Sequence, residues 1–289
     1  MDPETRYMSL AVLHDGTAWV LLAVGCSDGA VRVFSVSEED NKFQLLWESF
    51  YHQRCVLSVA PCCLQDRQGN RSLFLFSGAT DGSVAMWDMS TLTEWRPDPT
   101  AAPFWNGPCS PCLTVTVHQS GVNCLVVWER KGEEEAGLIS VASGGDDGQL
   151  SLVNIRTQFH QQQVEGAVCA QLQSCSAVPL AHAAPLTALQ YLGSGLLVST
   201  SCDQRVCLWS LHGPSPHHCN STPHQGPASP EQGSAPHHQG TLFSHVADAA
   251  GLEAWPGVGP EGGAWAAVCG QGLQLLRIGE ETGRSEGAN

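Results

Sequence analysis

The chain has 289 residues, 28 of them acidic and 13 basic, for a formal net charge of −15. That balance excludes an autonomous nucleic-acid-binding or anionic-membrane-binding domain, which needs a concentrated positive surface. Gly (30) and Pro (17) supply about one residue in six and charged residues only 14%, a turn-rich composition that excludes a helical bundle or coiled coil. The longest apolar stretch, around Ala18–Val24, falls short of a bilayer span. The opening Met1-Asp2-Pro3-Glu4 lacks the charged-then-apolar pattern of a secretory signal. Thirteen cysteines are an odd number, and most sit inside apolar runs as small hydrophobes, which predicts a reducing, cytoplasmic compartment.

In chain order, β-prone runs come in groups of four. The first group is Met8–Leu13, Val20–Cys26, Ala30–Val36 and Phe43–Trp47. The second is Cys55–Ala60, Ser72–Ser77, Val84–Met89 and Leu113–Val117. The third is Val122–Trp128, Leu138–Ser143, Leu150–Ile155 and Val168–Leu172. The fourth is Leu186–Tyr191, Leu196–Thr200, Val206–Leu211 and Thr241–Ser244. A fifth is shorter: Gly251–Ala254, Trp265–Val268 and Leu273–Ile278, with no outer strand.

Between the second and third runs of each group lies a tight turn. It reads Cys26-Ser27-Asp28-Gly29, Ala79-Thr80-Asp81-Gly82, Gly145-Asp146-Asp147-Gly148 and Ser201-Cys202-Asp203-Gln204, with a degraded fifth at Gly270-Gln271-Gly272. Asp-Gly suits a hairpin because Gly accepts positive φ and Asp tolerates the left-handed region. The flanking Val, Leu, Ile and Phe suit sheets buried on both faces, and one such sheet cannot bury both faces alone, so several must stack.

This pattern resembles the WD-repeat β-propellers. Turn residues at 28, 81, 147, 203 and 271 are spaced by 53, 66, 56 and 68, against about 40–45 for one such repeat. The excess sits in polar, Pro-rich or Gln-rich inserts at Gln65–Arg71, Thr91–Pro111, Gln158–Val164 and His212–Gly240. The resemblance implies a buried tetrad of His, Ser, Asp and Trp in each blade. His52, Ser77, Asp81 and Trp87 match it, as do His182, Ser199, Asp203 and Trp209. His118, Ser143 and Asp147 match three positions, with Val153 in place of Trp. The first repeat keeps Asp28 but has Val24 and Phe34, and the fifth keeps only His245. Recurrence of one trio at several strand ends marks a structural hydrogen-bond relay, not a catalytic triad.

The fold expected is therefore all-β: a WD-repeat propeller segment over 1–281 with blades near 5–48, 52–117, 118–175, 182–245 and 249–278. A disordered insert is expected over 212–240 and a flexible tail over 282–289. Four and a half blades fit either a small irregular propeller or part of a larger one, and the second reading is adopted.

Other constellations carry weaker chemistry. Cys109-Ser110-Pro111-Cys112 has no second ligand pair for zinc and no helix start for redox work. His217, His218, His224, His237 and His238 read as part of a Pro/His-rich loop, and Asn220-Ser221-Thr222 as a sequon without meaning in the cytoplasm. Gly257-Val258-Gly259-Pro260-Glu261-Gly262 spells a dinucleotide fingerprint but lacks its strand-then-helix context. Glu38-Glu39-Asp40 and Glu133-Glu134-Glu135 read as solvated hairpin tips, and Trp95, Trp105 and Trp255 as loop anchors or contact residues. No metal, cofactor, small-molecule substrate or membrane partner is expected.

Further stretches sharpen the resemblance: Asp2-Pro3-Glu4-Thr5-Arg6-Tyr7-Met8, Arg54-Cys55-Val56-Leu57, Ala181-His182-Ala183-Ala184 and Gly270-Gln271-Gly272-Leu273. Together they are similar to the C-terminal region of a family of large, cytoplasmic, multi-propeller WD-repeat proteins. That family implies a non-catalytic partner of an FtsJ-type tRNA ribose 2′-O-methyltransferase, which helps place the anticodon loop for wobble-nucleotide methylation. The methyl donor belongs to the enzyme subunit, and tRNA is met only within the complex. The alternative is a general WD-repeat adaptor in signalling or ubiquitin ligation.

Overall fold

The computed structural model describes residues 4–15, 19–37, 42–65, 69, 71–95, 107–130, 137–158, 169–211, 235–256 and 264–278. The first sheet is β1 (Tyr7–Asp15), β2 (Val20–Cys26), β3 (Val31–Ser37) and β4 (Lys42–Ser49). The second is β5 (Val56–Gln65), β6 (Arg71–Ala79), β7 (Ser83–Asp88) and β8 (Leu113–Thr116), with a 3₁₀ turn at Ser90–Glu94. The third is β9 (Val122–Glu129), β10 (Leu138–Gly145), β11 (Leu150–Gln158) and β12 (Cys169–Val178). The fourth is β13 (Leu186–Gly193), β14 (Leu196–Ser201), β15 (Arg205–Ser210) and β16 (His237–Phe243). The fifth pairs β17 (Ala247–Pro256) with β18 (Ala264–Ile278). Every pairing is antiparallel, and strands lie in chain order within each sheet.

Successive sheets meet through their first strands: β1 lies on β5, β5 on β9, β9 on β13 and β13 on β17. The period of two explains how one strand serves two interfaces. In β6, Leu73 and Leu75 join the core shared with the first sheet (Leu21, Ala23, Val33, Trp47). Phe74 and Phe76, between them in sequence, join the core shared with the third sheet (Ile139, Val141, Val153, Ile155). In β14, Leu197 likewise faces the third sheet and Val198 the fifth. Each fully buried Leu or Phe contributes about 1.5–3 kcal/mol, so the sheets are held face to face by side chains, without ladder bonds between them among the described residues. The architecture is that of propeller blades, and no closed sheet is formed among the described residues.

Two expectations need correction. Trp265–Val268 and Leu273–Ile278 belong to one strand element, β18, which runs through the Gly270-Gln271-Gly272 corner. That corner lacks the Asp-Gly pair. Gln271 instead pairs with Ala247 of β17, and its Nε2 donates to Asp248 Oδ2. The insert expected over 212–240 is also shorter at its C-terminal end. His237–Gly240 lie in β16, where their backbones complete the ladder to Leu208–Ser210. Residues 212–234 and the tail 282–289 lie outside the described residues. The longest connections, from β7 to β8, β11 to β12 and β15 to β16, all join a third strand to an outermost one.

Candidate functional site: the corner network

The corners are built by aspartate side chains, not by aspartate backbones. Asp28, Asp81, Asp147 and Asp203 each accept, at Oδ1, the backbone N–H two residues on, at 2.9–3.0 Å. This is an Asx turn. The positive φ falls on the following residue: Gly29 (+87°), Gly82 (+80°), Gly148 (+71°) and Gln204 (+62°). The left-handed aspartate expected from the Asp-Gly pattern is thus not used, because the carboxylate already fixes the turn from an ordinary backbone.

Each corner is clasped by the connection leaving its own sheet. The amides of His118, His182 and Ser244 donate to the carbonyls of Gly82, Gly148 and Gln204 at 3.2, 3.0 and 2.8 Å. A Cβ at Gly29, Gly82 or Gly148 would collide with the carbonyl oxygen of His52, His118 or His182, so close approach requires glycine there. The histidine then reaches forward to the next sheet. His118 Nδ1 lies 3.1 Å from Asp147 Oδ1 and Nε2 lies 2.9 Å from Ser143 Oγ. His182 Nδ1 lies 3.1 Å from Asp203 and Nε2 lies 2.7 Å from Ser199 Oγ, which also accepts Trp209 Nε1–H at 2.8 Å. The carboxylate holds the proton on Nδ1, so Nε2 accepts the serine O–H, and the serine oxygen accepts the indole N–H.

The second sheet departs in one bond. His52 Nε2 and Trp87 Nε1 meet Ser77 Oγ at 2.8 and 2.9 Å. His52 Nδ1, however, stands 3.8 Å from Asp81 Oδ2 and has no hydrogen-bond partner. Ser83 explains this: its amide and hydroxyl hold Asp81 Oδ1 at 2.9 and 2.5 Å, where the later corners have Gln149 and Arg205.

Burial pushes His52, His118 and His182 below the ordinary imidazole range, against the opposing pull of Asp81, Asp147 and Asp203. Burial also works to raise Asp81 and Asp203. Hydrogen bonds outweigh it, from Ser83 at Asp81 and from Ala183 N–H and His182 at Asp203, so both carboxyls sit below their usual value.

The Asp–His–Ser connectivity matches that of a hydrolytic triad. Accessibility does not. Ser77 and Ser199 are 0% exposed and Ser143 1%, and each oxygen is already engaged by its histidine. No substrate carbonyl can reach them.

The end sheets use substitutes that sequence reasoning missed. In the first, Arg32 fills the histidine's electrostatic role: Nη1 and Nη2 grip Asp28 at 3.2 and 2.8 Å, and Nε reaches Glu48 at 3.1 Å. Thr5 Oγ1 adds a bond to Asp28 at 3.1 Å. Burial opposes the charge on both groups, yet their mutual bonds lower Asp28 and raise Arg32. In the fifth, Ser244 stands where the histidines stand, and Gln274 acts for the missing aspartate. Gln274 Oε1 accepts Ser244 Oγ–H at 3.1 Å and His245 N–H at 2.7 Å. The equivalent bonds elsewhere run from Gln119 and Ala183 N–H to Asp147 and Asp203. His245, expected to keep the tetrad position, is one residue past it and exposed.

The remaining constellations are dispersed. Cys109 is exposed, while Cys112 donates to the Met86 carbonyl and burial pushes its thiol up to about 11. Among the described residues, no group of three or more His, Cys, Asp and Glu is placed to hold a metal. His238 bonds Thr241 and lies edge-on to Trp209, whereas His217, His218 and His224 fall outside the described residues. So do 257–262, 38–40, 133–135 and Trp105; the fingerprint-like stretch is followed by strand β18, not a helix. Trp95 packs edge-on against Trp19 over the first core.

Sheet architecture and recurrent corners together resemble those of WD-repeat proteins of β-propeller type. The "WD domain, G-beta repeat" family matches residues 173–210. Within that class the chain is similar to proteins described as "tRNA (34-2'-O)-methyltransferase regulator WDR6". It is 40% identical to the Bos taurus protein and 37% to the Homo sapiens one, over 95% of its own length. It spans about a quarter of their length (23%). Among solved structures it is similar to the "WD40 beta propeller domain of Doa1" (TM-score 0.49, 16% identity, 95% of this chain and 66% of that one). It is also similar to a chain of the "Mitotic Checkpoint Complex" (TM-score 0.48, 17% identity, 98% and 68%).

Proposed function

We propose that this chain is a non-catalytic, cytoplasmic scaffold segment that works with an FtsJ-type tRNA ribose 2′-O-methyltransferase and helps place the anticodon loop for methylation of the wobble nucleotide. The observation that carries the reading is the 36–40% identity, over 95% of the chain, to proteins described as regulators of a tRNA (34-2'-O)-methyltransferase. The enclosed serines support a role without bond-making. The mechanism is positional: a rigid stack of sheets holds enzyme and substrate in one relative geometry, lowering the entropic cost of a productive encounter. With 13 basic residues against 28 acidic ones, the segment meets the enzyme more than tRNA phosphates.

The test mixes purified chain, FtsJ-type enzyme, tRNA and S-adenosylmethionine, and follows ribose methylation at nucleotide 34. The chain alone should transfer nothing, and it should co-purify with the enzyme. Methyl transfer by the chain alone would overturn the reading. Capture of ubiquitin-ligase subunits without the enzyme would favour the general adaptor.

A further inference from the structure

His118 ties the second sheet to the third with four hydrogen bonds. Its amide donates to the Gly82 carbonyl and its Nδ1–H to Asp147; the Gln119 amide donates to Asp147 Oδ2 at 3.2 Å, and Nε2 meets Ser143 Oγ. His182 repeats all four between the third and fourth sheets, with Gly148, Asp203, the Ala183 amide and Ser199. His52, between the first and second sheets, keeps only the bond to Ser77. Its amide makes no bond to Gly29, although its carbonyl lies against that glycine. Its Nδ1 is buried without a partner, and the Gln53 amide does not reach Asp81. Asp81 is correspondingly the most exposed of the three carboxylates, at 34% against 20% for Asp147 and 8% for Asp203.

Asp81 keeps its Asx bond to the Ser83 amide, as the other corner aspartates keep theirs, but its Oδ1 also takes the Ser83 hydroxyl at 2.5 Å. Gln149 and Arg205, at the same place in the later corners, offer no hydroxyl. Turning the Asp81 carboxylate onto His52 gives up that one bond and gains two, from His52 Nδ1–H and the Gln53 amide, with the Asx turn kept. The two arrangements therefore lie close in free energy. We propose that the second corner is a latch with two positions, Asp81 held by Ser83 as seen here and Asp81 turned onto His52 and Gln53. Ser83 is the positioning residue that sets the balance, and with it how often the first sheet parts from the second. What else holds this joint is apolar packing, with Trp47 edge-on to Trp87 at 5.3 Å, and one bond from Val59 N–H to Ser9 Oγ. The latch is independent of the methyltransferase reading, because it concerns a joint within this chain and not an enzyme.

The test follows hydrogen exchange of the histidine ring protons and backbone amides by NMR of the whole, nitrogen-labelled chain. In the unaltered chain the His52 Nδ1 proton should exchange about 10-fold faster than those of His118 and His182, the worth of one hydrogen bond. Ser83→Ala removes the competitor. It should slow exchange about 10-fold at His52 Nδ1 and at the Val59 amide, which spans the joint, and leave His118 and His182 as they were. Ser83→Thr retains the hydroxyl and should behave as the unaltered chain. If Ser83 merely braced the corner, loss of its hydroxyl would speed exchange at both sites. Faster or unchanged exchange in Ser83→Ala would therefore overturn the proposal. Equal protection of the three Nδ1 protons in the unaltered chain would overturn it too, and that comparison needs no variant to fold.

Discussion

Ser199 and Ser143 occupy equivalent places but carry different loads, and the difference is measurable. Ser199 Oγ accepts the Trp209 indole N–H and donates to His182 Nε2, whereas Ser143 Oγ meets His118 Nε2 but has Val153 where the indole would be. Ser199→Ala therefore leaves two buried groups unpaired, and Ser143→Ala leaves one. At about 1–3 kcal/mol per stranded group, the losses are about 2–6 and about 1–3 kcal/mol. Trp209→Phe removes the donor, leaves a lone pair unfilled and opens a cavity where the indole is buried in the core, so the test rests on the coupling and not on its single cost. Combining the two should recover about 1–3 kcal/mol of coupling. The assay is urea unfolding read by circular dichroism and tryptophan fluorescence together, since agreement between them establishes two-state behaviour. Equal losses for Ser199→Ala and Ser143→Ala, or coupling near zero, would refute the claim that the relay ends on the indole.

Acid should loosen the same network. Burial lowers the folded-state pKa of His52, His118 and His182 below about 6.5, so the unfolded chain binds more protons as pH falls through that value. Stability is full above about pH 6.5 and declines below it, by at most about 1.4 kcal/mol per pH unit for each histidine. Asp28, Asp81 and Asp203, lowered in the fold, extend the decline below their unfolded pKa. Urea midpoints at pH 7.5 and 5.5 should fall in that order, and an unchanged midpoint would contradict the assignment. Arg32→Met should cost about 1–3 kcal/mol and speed hydrogen exchange at the β2–β3 corner. The cost stays below that of a fully buried pair because Asp28 and Glu48 keep access to water. Gly82→Ala should cost more than Gly193→Ala in thermal melts, because both positions have positive φ but only Gly82 lies against a carbonyl, that of His118.

Much of this was readable in the letters. Asp81, Asp147 and Asp203 announced corners because each lies between two β-prone runs, and His52, His118 and His182 each stand just before the first run of a group. Arg32 escaped notice because a charge inside an apolar strand looks like a solvated residue. Its signal lay in pairing: β3 places Arg32 opposite Glu48, and the turn brings it back over Asp28. Ser244 and Gln274 escaped because amide and hydroxyl replace carboxylate and imidazole without keeping any recognisable spelling, and the neighbouring His245 drew the register one residue off. The continuity of β18 was hidden for a related reason: two glycines suggest a break, but the corner is held by Gln271 bonding to Asp248.

The long excursions between third and outermost strands have a practical consequence. A third strand starts at its corner and runs away from it, so its exit lies at the far rim from every aspartate and histidine of the clasp. Polypeptide spliced between β15 and β16 would leave β15 at that rim, away from the side chains that couple one sheet to the next. Fluorescent domains or affinity tags grafted there should report on the assembly while leaving its clasped corners undisturbed.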